Sequence, residues 1–589
     1  MFATASKRVL GAALLALVVP VNAHAELPGL RPDCAEYQER LRRRPGEPPR
    51  EMKHCDEPGV IPAVWRNLPD FTAIPDRWRI VNAIGYRERL FDPYNGNNVL
   101  KGDRPAFGKD WFFALNFISD TTAEGRSLPT PAAIATTPDP DTLGIFGDPD
   151  QVAITQTFVV ETVLYKGETI FKPPDYEFRF LPVFSLTHVE VDQPGILRAD
   201  STRNTIRDDD FLGVQGLFVD KHLRNVSERY DFDSIRIGIQ PITADFRGFL
   251  FQDSPVGIRL FGTRDNNRWQ YNIGAFRRLE KNTNSGLNDI SADLRDDDVF
   301  LFNLYRQDFP VLGFTSQIAL VHNRNTETGA AFVDANGFVD RPAAIGIQKS
   351  REYNVSYLGF NGDGHFGRWN LTASAYYAFG DETPASFVDQ PSDISAAFAA
   401  FEVSRDFDWL RLRASLVYGS GDDDPYDNTS NGFDAIFENP LIAGADTSFW
   451  IRQSLPLVGG GRVALSSPNG LLNSLRPNKF NSQSNFSNPG LLLLGAGIDM
   501  EMTPKLRASI NINQLLFDDT AVLEAARNQG PIDRTIGQDL SFSLTYRPLT
   551  SQNIVLRLAG SVLLPGDGYR QLFGSDTAYS VLANVILSY

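Results

Sequence analysis

Apolar and polar residues alternate with a period of two through most of the chain, from about residue 77 to the last residue. The C-terminal segment shows this most clearly. Between Tyr579 and Tyr589 every second residue is apolar or aromatic, and the intervening positions include Ser580, Asn584 and Ser588. Alternation over about 11 residues is typical of a tilted membrane-spanning β-strand, which presents one face to lipid and the other to a barrel interior. The aromatic terminus resembles the C-terminal signal of bacterial outer-membrane barrels, so we expect Tyr589 to engage the barrel-assembly machinery.

The predicted strands form hairpins with short polar connections, which read FDW, TPK, PLTSQN and NGDGHFGR. These hairpins span residues 398–419, 491–516, 540–564 and 353–379. Much longer polar segments separate them, at residues 420–488, 327–349 and 517–536. Short turns at one edge and long loops at the other are typical of a transmembrane barrel, with periplasmic turns and extracellular loops. The competing soluble β-propeller would require a repeated blade motif, and none is apparent.

We therefore predict an all-β fold, a transmembrane antiparallel β-barrel, over residues 76–589. Between about 16 and 19 strands can be counted from Trp78 onward; we predict 18, with 16 as the alternative, because bacterial single-chain barrels have even strand numbers. At that circumference the interior can hold an aqueous lumen rather than a packed core. The sequence thus predicts a pore.

Residues 1–25 have the organisation of a signal peptide. Lys7 and Arg8 precede an apolar stretch from Val9 to Val21, and Ala23-His24-Ala25 provides a cleavage site. No later stretch is apolar over about 18 residues, as a transmembrane helix would require. We therefore expect export to the outer membrane of a Gram-negative bacterium.

The composition excludes several functional classes. The chain has 56 basic and 72 acidic residues, a net charge of −16, and loss of Lys7 and Arg8 leaves 54 against 72, or −18. An acidic chain is unsuited to nucleic-acid binding. A mean hydropathy of −0.23, despite 42 phenylalanines, excludes a helical membrane bundle. The sequence lacks HExxH, GxSxG and Walker motifs, so we predict neither an enzyme nor a cofactor.

Residues 26–75 differ from the rest in their many prolines and a basic cluster. They hold both cysteines, Cys34 and Cys55, and in an oxidising compartment we expect these to form a disulfide. The segment could plug the lumen, cap its periplasmic mouth, dock a periplasmic partner, or be a solvated extension.

Strand parity assigns a set of arginines to the lumen, because a charge facing lipid at the midplane costs about 2–4 kcal/mol. In WLRLRASLVYG, for example, Leu410, Leu412 and Leu416 share one face and the arginines lie on the other. The predicted pore-lining residues are Arg179, Arg236, Arg259, Arg411, Arg413, Arg507 and Arg557. Two interpretations stay open. The arginines brace the barrel by pairing with luminal acids such as Glu177 and Glu402, or they form a positive constriction that concentrates anions.

Three DDD runs, at residues 208–210, 296–298 and 422–424, are assigned to loops. Carboxylate clusters suit Ca²⁺, and the weak candidates are Asp422, Asp423, Asp424 and Asp427. The spacing lacks the order and the closing Glu of an EF-hand, so we favour solvated loops that contact outer-membrane lipid and lipopolysaccharide through divalent ions.

One stretch, residues 213–251, resembles a strand pair of alginate-export-type outer-membrane porins. The matching positions are Phe218, Val219, Asp220, Arg236, Gly238, Gln240, Asp245 and Arg247. The chain departs from that pattern in its Cys34–Cys55 segment and at Ile239. The resemblance implies a porin barrel and, as an alternative, a polysaccharide export channel that works with a periplasmic scaffold.

The preferred prediction is a passive outer-membrane porin for small, anionic or oligosaccharide solutes. A structural sleeve for a separate cytochrome is a further alternative, since the chain has no CxxCH with which to attach haem itself.

Overall fold

A computed structural model describes most of the chain beyond residue 98. The described residues are 83–85, 98–129, 149–167, 169, 173–192, 195–200, 202–227, 231–329, 331–453, 455, 457, 470–472 and 475–589. The predicted signal peptide, the predicted segment 26–75 and the predicted Cys34–Cys55 disulfide lie outside them. The described residues all belong to one compact unit, Thr72–Tyr589.

The described residues form 23 strands, which we number in chain order. They are β1 (Trp111–Ser127), β2 (Asp150–Lys166), β3 (Tyr176–Val191), β4 (Ile206–Asn225), β5 (Phe232–Ile239), β6 (Ile242–Thr243), β7 (Gln252–Asp253), β8 (Val256–Arg264), β9 (Trp269–Leu279), β10 (Leu294–Arg306), β11 (Phe314–Asn325), β12 (Phe332–Val333), β13 (Val339–Arg341), β14 (Glu352–Phe366), β15 (Trp369–Thr383), β16 (Ser392–Phe407), β17 (Leu410–Gly419), β18 (Thr429–Ser430), β19 (Leu491–Thr503), β20 (Leu506–Leu516), β21 (Thr535–Tyr546), β22 (Ile554–Pro565) and β23 (Ala578–Ser588).

Eighteen of these described strands form a closed antiparallel barrel, and β6, β7, β12, β13 and β18 are short strands outside the ring. Each barrel strand pairs with the next one along the chain, and β23 pairs back with β1, where Thr121 lies opposite Val585. The predicted fold class and strand number are confirmed. Closure leaves no unpaired sheet edge, as a strand fold in lipid requires.

Three short helices complete the secondary structure of the described residues: α1 (Phe449–Arg452), α2 (Ala521–Arg527) and α3 (Asp567–Phe573). No helix among the described residues is long and apolar enough to cross a membrane.

The connections alternate between short and long, as predicted. Two-residue turns join β14 to β15, β16 to β17 and β19 to β20, whereas residues 420–490 separate β17 from β19. We call the two edges of the barrel the short-turn edge and the long-loop edge. One hairpin differs from its prediction: β14 continues through most of NGDGHFGR to Phe366, so the turn is only Gly367–Arg368. Gly367 has a φ of +63°, which a tight two-residue turn favours.

The outer surface of the barrel is apolar at alternate positions. Exposed aliphatic residues on it include Leu412, Leu416, Ile510, Ile512, Leu556 and Leu558. In the last strand Tyr579, Val581, Val585 and Leu587 are exposed in the same way. Because a soluble barrel would expose polar residues there, this surface is built to contact lipid.

The interior is not the open aqueous lumen that the strand number suggests. Residues 240–255 (the short luminal segment) and the described part of residues 420–490 (the long luminal segment) turn into the barrel from the long-loop edge. Together with inward-facing wall residues such as Val299, Tyr357 and Phe398 they form one buried apolar cluster. The segments contribute Phe249, Leu250, Phe251, Phe433, Phe437, Phe449, Trp450 and Phe486 to it. The prediction that residues 420–488 form an extracellular loop is wrong to this extent, because their aromatic side chains are buried inside the barrel.

Two of the three DDD runs lie in strands rather than in loops. Residues 208–210 belong to β4 and residues 296–298 to β10. In β10 the middle residue, Asp297, is fully buried and lies 2.9 Å from Arg278, while Asp296 is exposed. The assignment to loops failed because alternation places these carboxylates on both sides of a strand, where ion pairing compensates the buried one. Residues 422–424 lie at the start of the long luminal segment.

Candidate solute passage in the barrel interior

A single carboxylate organises the short luminal segment. Asp245 accepts the backbone N–H groups of residues 247–250 at 2.6–3.1 Å, and the hydroxyl of Tyr376 on β15 at 3.1 Å. The carbonyl of Ala244 accepts a hydrogen bond of 2.6 Å from Gln317 on β11. These bonds satisfy the backbone of a loop that is buried away from water, and they anchor the loop to the wall.

The two luminal segments contact each other through their backbones. Phe437 accepts a hydrogen bond from Gln252 at 2.8 Å, and Asn439 donates one to Gly248 at 2.9 Å. Gly248 has a φ of +74°, and a Cβ there would lie 2.7 Å from the carbonyl oxygen of Asn439. Only glycine permits this approach.

A buried ion pair holds the long luminal segment in its fold. Arg476 donates two hydrogen bonds to the carboxylate of Asp434, at 2.7 and 2.9 Å, and both side chains are fully buried. Asp434 also accepts the backbone N–H of Asn485 at 2.7 Å. Bidentate pairing fixes the relative orientation of the two side chains as well as compensating their charges. It therefore holds two distant parts of the segment together inside the barrel.

On the short-turn side of the luminal segments the interior contains a cavity of about 530 Å³. Its wall is mostly polar, with hydroxyl and amide groups such as those of Thr372, Ser404, Ser509 and Asn511. The charged residues that line it are Arg247, Arg411, Arg413, Arg507 and Arg547, with Glu402, Asp446 and Asp499. Five basic and three acidic side chains therefore line the cavity, and the pairing of each arginine decides how much positive charge is left uncompensated.

Three of the predicted pore-lining arginines, Arg411, Arg413 and Arg507, therefore line one cavity. Arg413 donates to Asp499 at 2.9 Å and lies 3.7 Å from Glu402; Arg507 lies 3.2 Å from the same Asp499. These residues come from β16, β17, β19 and β20, so the contacts brace four strands. Arg411 pairs with Asp406, and both side chains are nearly half exposed.

Arg557 lies on β22 and contacts the long luminal segment. Its guanidinium donates to the carboxylate of Asp446 at 2.6 Å and to the carbonyl of the same residue at 2.8 Å. Because Asp446 lines the cavity, this pair joins β22, the neighbour of the cavity-lining β21, to the segment.

The other three predicted arginines lie on a different part of the wall. Arg179 contacts Glu161 at 2.7 Å and Glu177 at 2.9 Å. Arg236 donates to Asp220 at 2.8 Å and lies over the ring of Phe218. Arg259 donates to the amide oxygen of Asn272 at 2.6 and 2.8 Å and, within the described residues, has no carboxylate within 4 Å.

Sequence reasoning missed Arg247 and Arg547 as lumen-facing groups. Arg247 lies in the short luminal segment and donates to Thr372 at 2.6 Å and to Asp363 at 3.2 Å. Strand parity could not have found it, because it is not in a strand, although the family-like motif did mark it. Arg547 directly follows β21 and, among the described residues, has no carboxylate within 4 Å; continuing the strand's parity by one residue would have identified it.

The four candidate Ca²⁺ ligands do not converge. Asp422 is buried, whereas Asp424 and Asp427 each accept a backbone N–H two residues further on. Asp423 contacts the side chain of Asn431. Within the described ranges no group of three or more His, Cys, Asp or Glu residues could hold a metal ion.

Asp422 lies at the N-terminal end of the long luminal segment, which we call its root, and makes the packing of this root depend on pH. Burial, with a smaller contribution from the nearby carboxylates of Asp427, Asp423 and Glu382, raises the pKa of Asp422 to about 7, and a hydrogen bond from the backbone N–H of Asn431 opposes the rise. Since this pKa lies above the value of about 3.8 for a solvated carboxyl, the packed root is favoured when Asp422 is protonated. That contribution is complete below about pH 4 and is lost as the pH rises towards 7.

We therefore expect acidification from pH 7.5 to pH 5 to lengthen the low-conductance periods in single-channel recordings. Asp422→Asn should remove most of this dependence, because it stays neutral at both pH values. Asp424→Asn is the matched control, since Asp424 lies on the exposed side of the same run. An equal pH response in wild type and Asp422→Asn would refute the assignment.

Comparison with known proteins gives similarity of fold only. No protein-family profile matches the chain, and no curated protein sequence matches it. Among solved structures, OccK9 (OpdG) of Pseudomonas aeruginosa is 14% identical with a TM-score of 0.45, over 81% of this chain and 98% of that one. A BenF-like porin of Pseudomonas fluorescens Pf-5 is 12% identical and OccAB2 of Acinetobacter baumannii 10%, with the same TM-score and the same coverages. The resemblance to alginate-export porins gains no support from these comparisons.

Proposed function

We propose that this protein is an outer-membrane porin, a passive channel for small hydrophilic solutes with a preference for anions. The observation that carries the proposal is a closed barrel of 18 described strands whose outer surface is apolar and whose interior holds a polar, arginine-lined cavity. An apolar exterior suits lipid, and a polar lumen suits water and dissolved solutes. Bacterial outer membranes are where such barrels are placed.

The anion preference rests on how the luminal arginines are compensated. Arg179, Arg236, Arg413 and Arg507 each pair with carboxylates, so they brace the wall and contribute little net field. This favours the bracing interpretation for most of the predicted set. Net positive potential comes instead from arginines without a carboxylate partner among the described residues, chiefly Arg259 and Arg547. Uncompensated cations in a confined lumen attract anions and repel cations.

The test uses the full chain in planar bilayers with a KCl gradient. We expect the reversal potential of the wild type to show anion preference. The double variant Arg259→Gln/Arg547→Gln should shift it towards cations, because it removes two charges without leaving a carboxylate unpaired.

Arg324→Gln is the matched control, since Arg324 is exposed on β11 and shares the outward-facing parity of Ile318 and Leu320. Cation preference of the wild type would contradict the anion proposal, as would equal shifts in the luminal variant and the control. Failure of the folded protein to conduct any ion would contradict the channel itself.

A further inference from the structure

The short-turn edge of the barrel carries a repeated pair of residues. At the open ends of several strand pairs, an aromatic residue that begins one strand lies directly opposite a cation at or near the end of the neighbouring strand. The cross-strand pairs are Trp111 with Lys166, Tyr176 with Lys221, Trp269 with Arg306, and Trp369 with Arg405. In each pair the cation lies over the ring, at 4.1–5.9 Å from the ring centroid.

These pairs lie on the outer surface. Trp369 shares its strand face with the exposed Tyr377 and Phe379, and Arg405 shares its face with the exposed Phe401. Arg306 has the same parity in β10 as the exposed Phe300. The cations therefore belong to the outward-facing surface at one height of the barrel, next to the apolar belt.

Arg306 and Arg405 differ from Lys166, Lys221 and Arg264, which contact Asp110, Tyr176 and Asp233, in having no acceptor among the described residues. Neither guanidinium donates a hydrogen bond to a described residue or lies within 4 Å of a described carboxylate, and the Nε–H of each is buried without a partner. Arg264, on the same edge, is instead held by the carboxylate of Asp233 at 2.7 Å. A guanidinium has five N–H donors, and leaving them unused beside an apolar surface is costly unless an outside group accepts them.

We propose that Arg306 and Arg405, each on its tryptophan, bind the phosphate groups of phospholipids in the leaflet at the short-turn edge. The proposal rests on the insertion of the barrel in a membrane. Phosphate matches the planar fork of a guanidinium, and tryptophan sits at the headgroup level of a bilayer. The ring also holds the guanidinium by cation–π attraction, so less entropy is lost when the lipid binds.

The test is native mass spectrometry of the full chain in detergent, with phosphatidylglycerol as the probe lipid. We expect Arg306→Gln/Arg405→Gln to retain less phosphatidylglycerol, by about fivefold for each arginine removed, because one cation near a lipid surface has about that effect. Arg264→Gln, the matched control, should retain as much as wild type, since Asp233 already occupies its guanidinium. An uncharged galactolipid with the same acyl chains should bind wild type and both variants equally.

Unchanged phosphatidylglycerol retention in the double variant would overturn the proposal. So would an equal loss in Arg264→Gln, or an equal loss of the galactolipid. If the double variant does not fold, the two single variants are compared with Arg264→Gln in the same way. The readout is lipid retention and not conductance, so its failure leaves the proposed channel standing, and a silent channel does not by itself contradict the lipid sites.

Discussion

Replacing residues 433–485 by two glycines should raise the single-channel conductance at least about threefold, because a barrel of this circumference is wide enough for an aqueous channel once its filling is removed. The replaced stretch contains Phe433, Phe437, Phe449 and Trp450, which are buried in the apolar cluster inside the barrel. The cut ends already lie together, since the backbone N–H of Gly432 donates to the carbonyl of Phe486 at 2.7 Å. A two-residue link can therefore rejoin them without moving the roots of the segment.

The deletion also exposes inward-facing apolar wall residues such as Val355 and Tyr357 to water, so the barrel should become less stable. A milder variant, Asp434→Asn, weakens the buried pair with Arg476 and should produce brief openings of intermediate size. Asp424→Asn is the control within the same segment, because its exposed side chain accepts only the local backbone N–H of Tyr426. Conductance equal to wild type in the folded deletion variant would mean that the long luminal segment does not obstruct the passage.

The second large effect is expected at Arg413. Arg413→Gln leaves Asp499 and Glu402 inside the barrel with much of their charge compensation removed, and all three side chains are mostly buried. Removing one partner from such a group costs roughly 3 kcal/mol or more, although Arg507 still reaches Asp499 and reduces the loss. We expect a lower free energy of unfolding in urea titrations of the protein in lipid vesicles, and a reversal potential shifted towards cations.

Arg411→Gln is the matched comparison. It removes the same charge from the next inward-facing position of β17, but the Arg411–Asp406 pair is nearly half exposed, and exposed pairs contribute about 0–1 kcal/mol. Replacing Asp499 as well, in Arg413→Gln/Asp499→Asn, should restore part of the stability, since the orphaned carboxylate is then neutral. Equal losses for Arg413→Gln and Arg411→Gln would contradict the bracing role of Arg413.

The barrel could be predicted from the sequence because the pattern that identifies its strands, the alternation of apolar and polar residues, is local. In β23, β17 and β20 successive side chains point alternately to lipid and to the interior. The polarity of each residue therefore indicates the side that it faces. The same parity correctly separated Leu412 from Arg413 and Ile510 from Asn511. It could not say which carboxylate each arginine meets, because Arg413 and Asp499 are 86 residues apart and meet only through the pairing of β17 with β19.

By itself, the sequence determined the transmembrane barrel, its 18 described strands, its two unlike edges and the inward parity of the arginines, since each follows from periodicity or from turn chemistry. Tertiary structure alone decided that residues 240–255 and the described part of 420–490 fold into the barrel. It also decided that one cavity collects Arg247, Arg411, Arg413, Arg507 and Arg547, and that most of the predicted luminal arginines pair with carboxylates. Loop residues have no period from which to infer a direction. Whether Asp434 meets Arg476 or Gly248 meets Asn439 depends on contacts between residues far apart in the sequence, which no local pattern specifies.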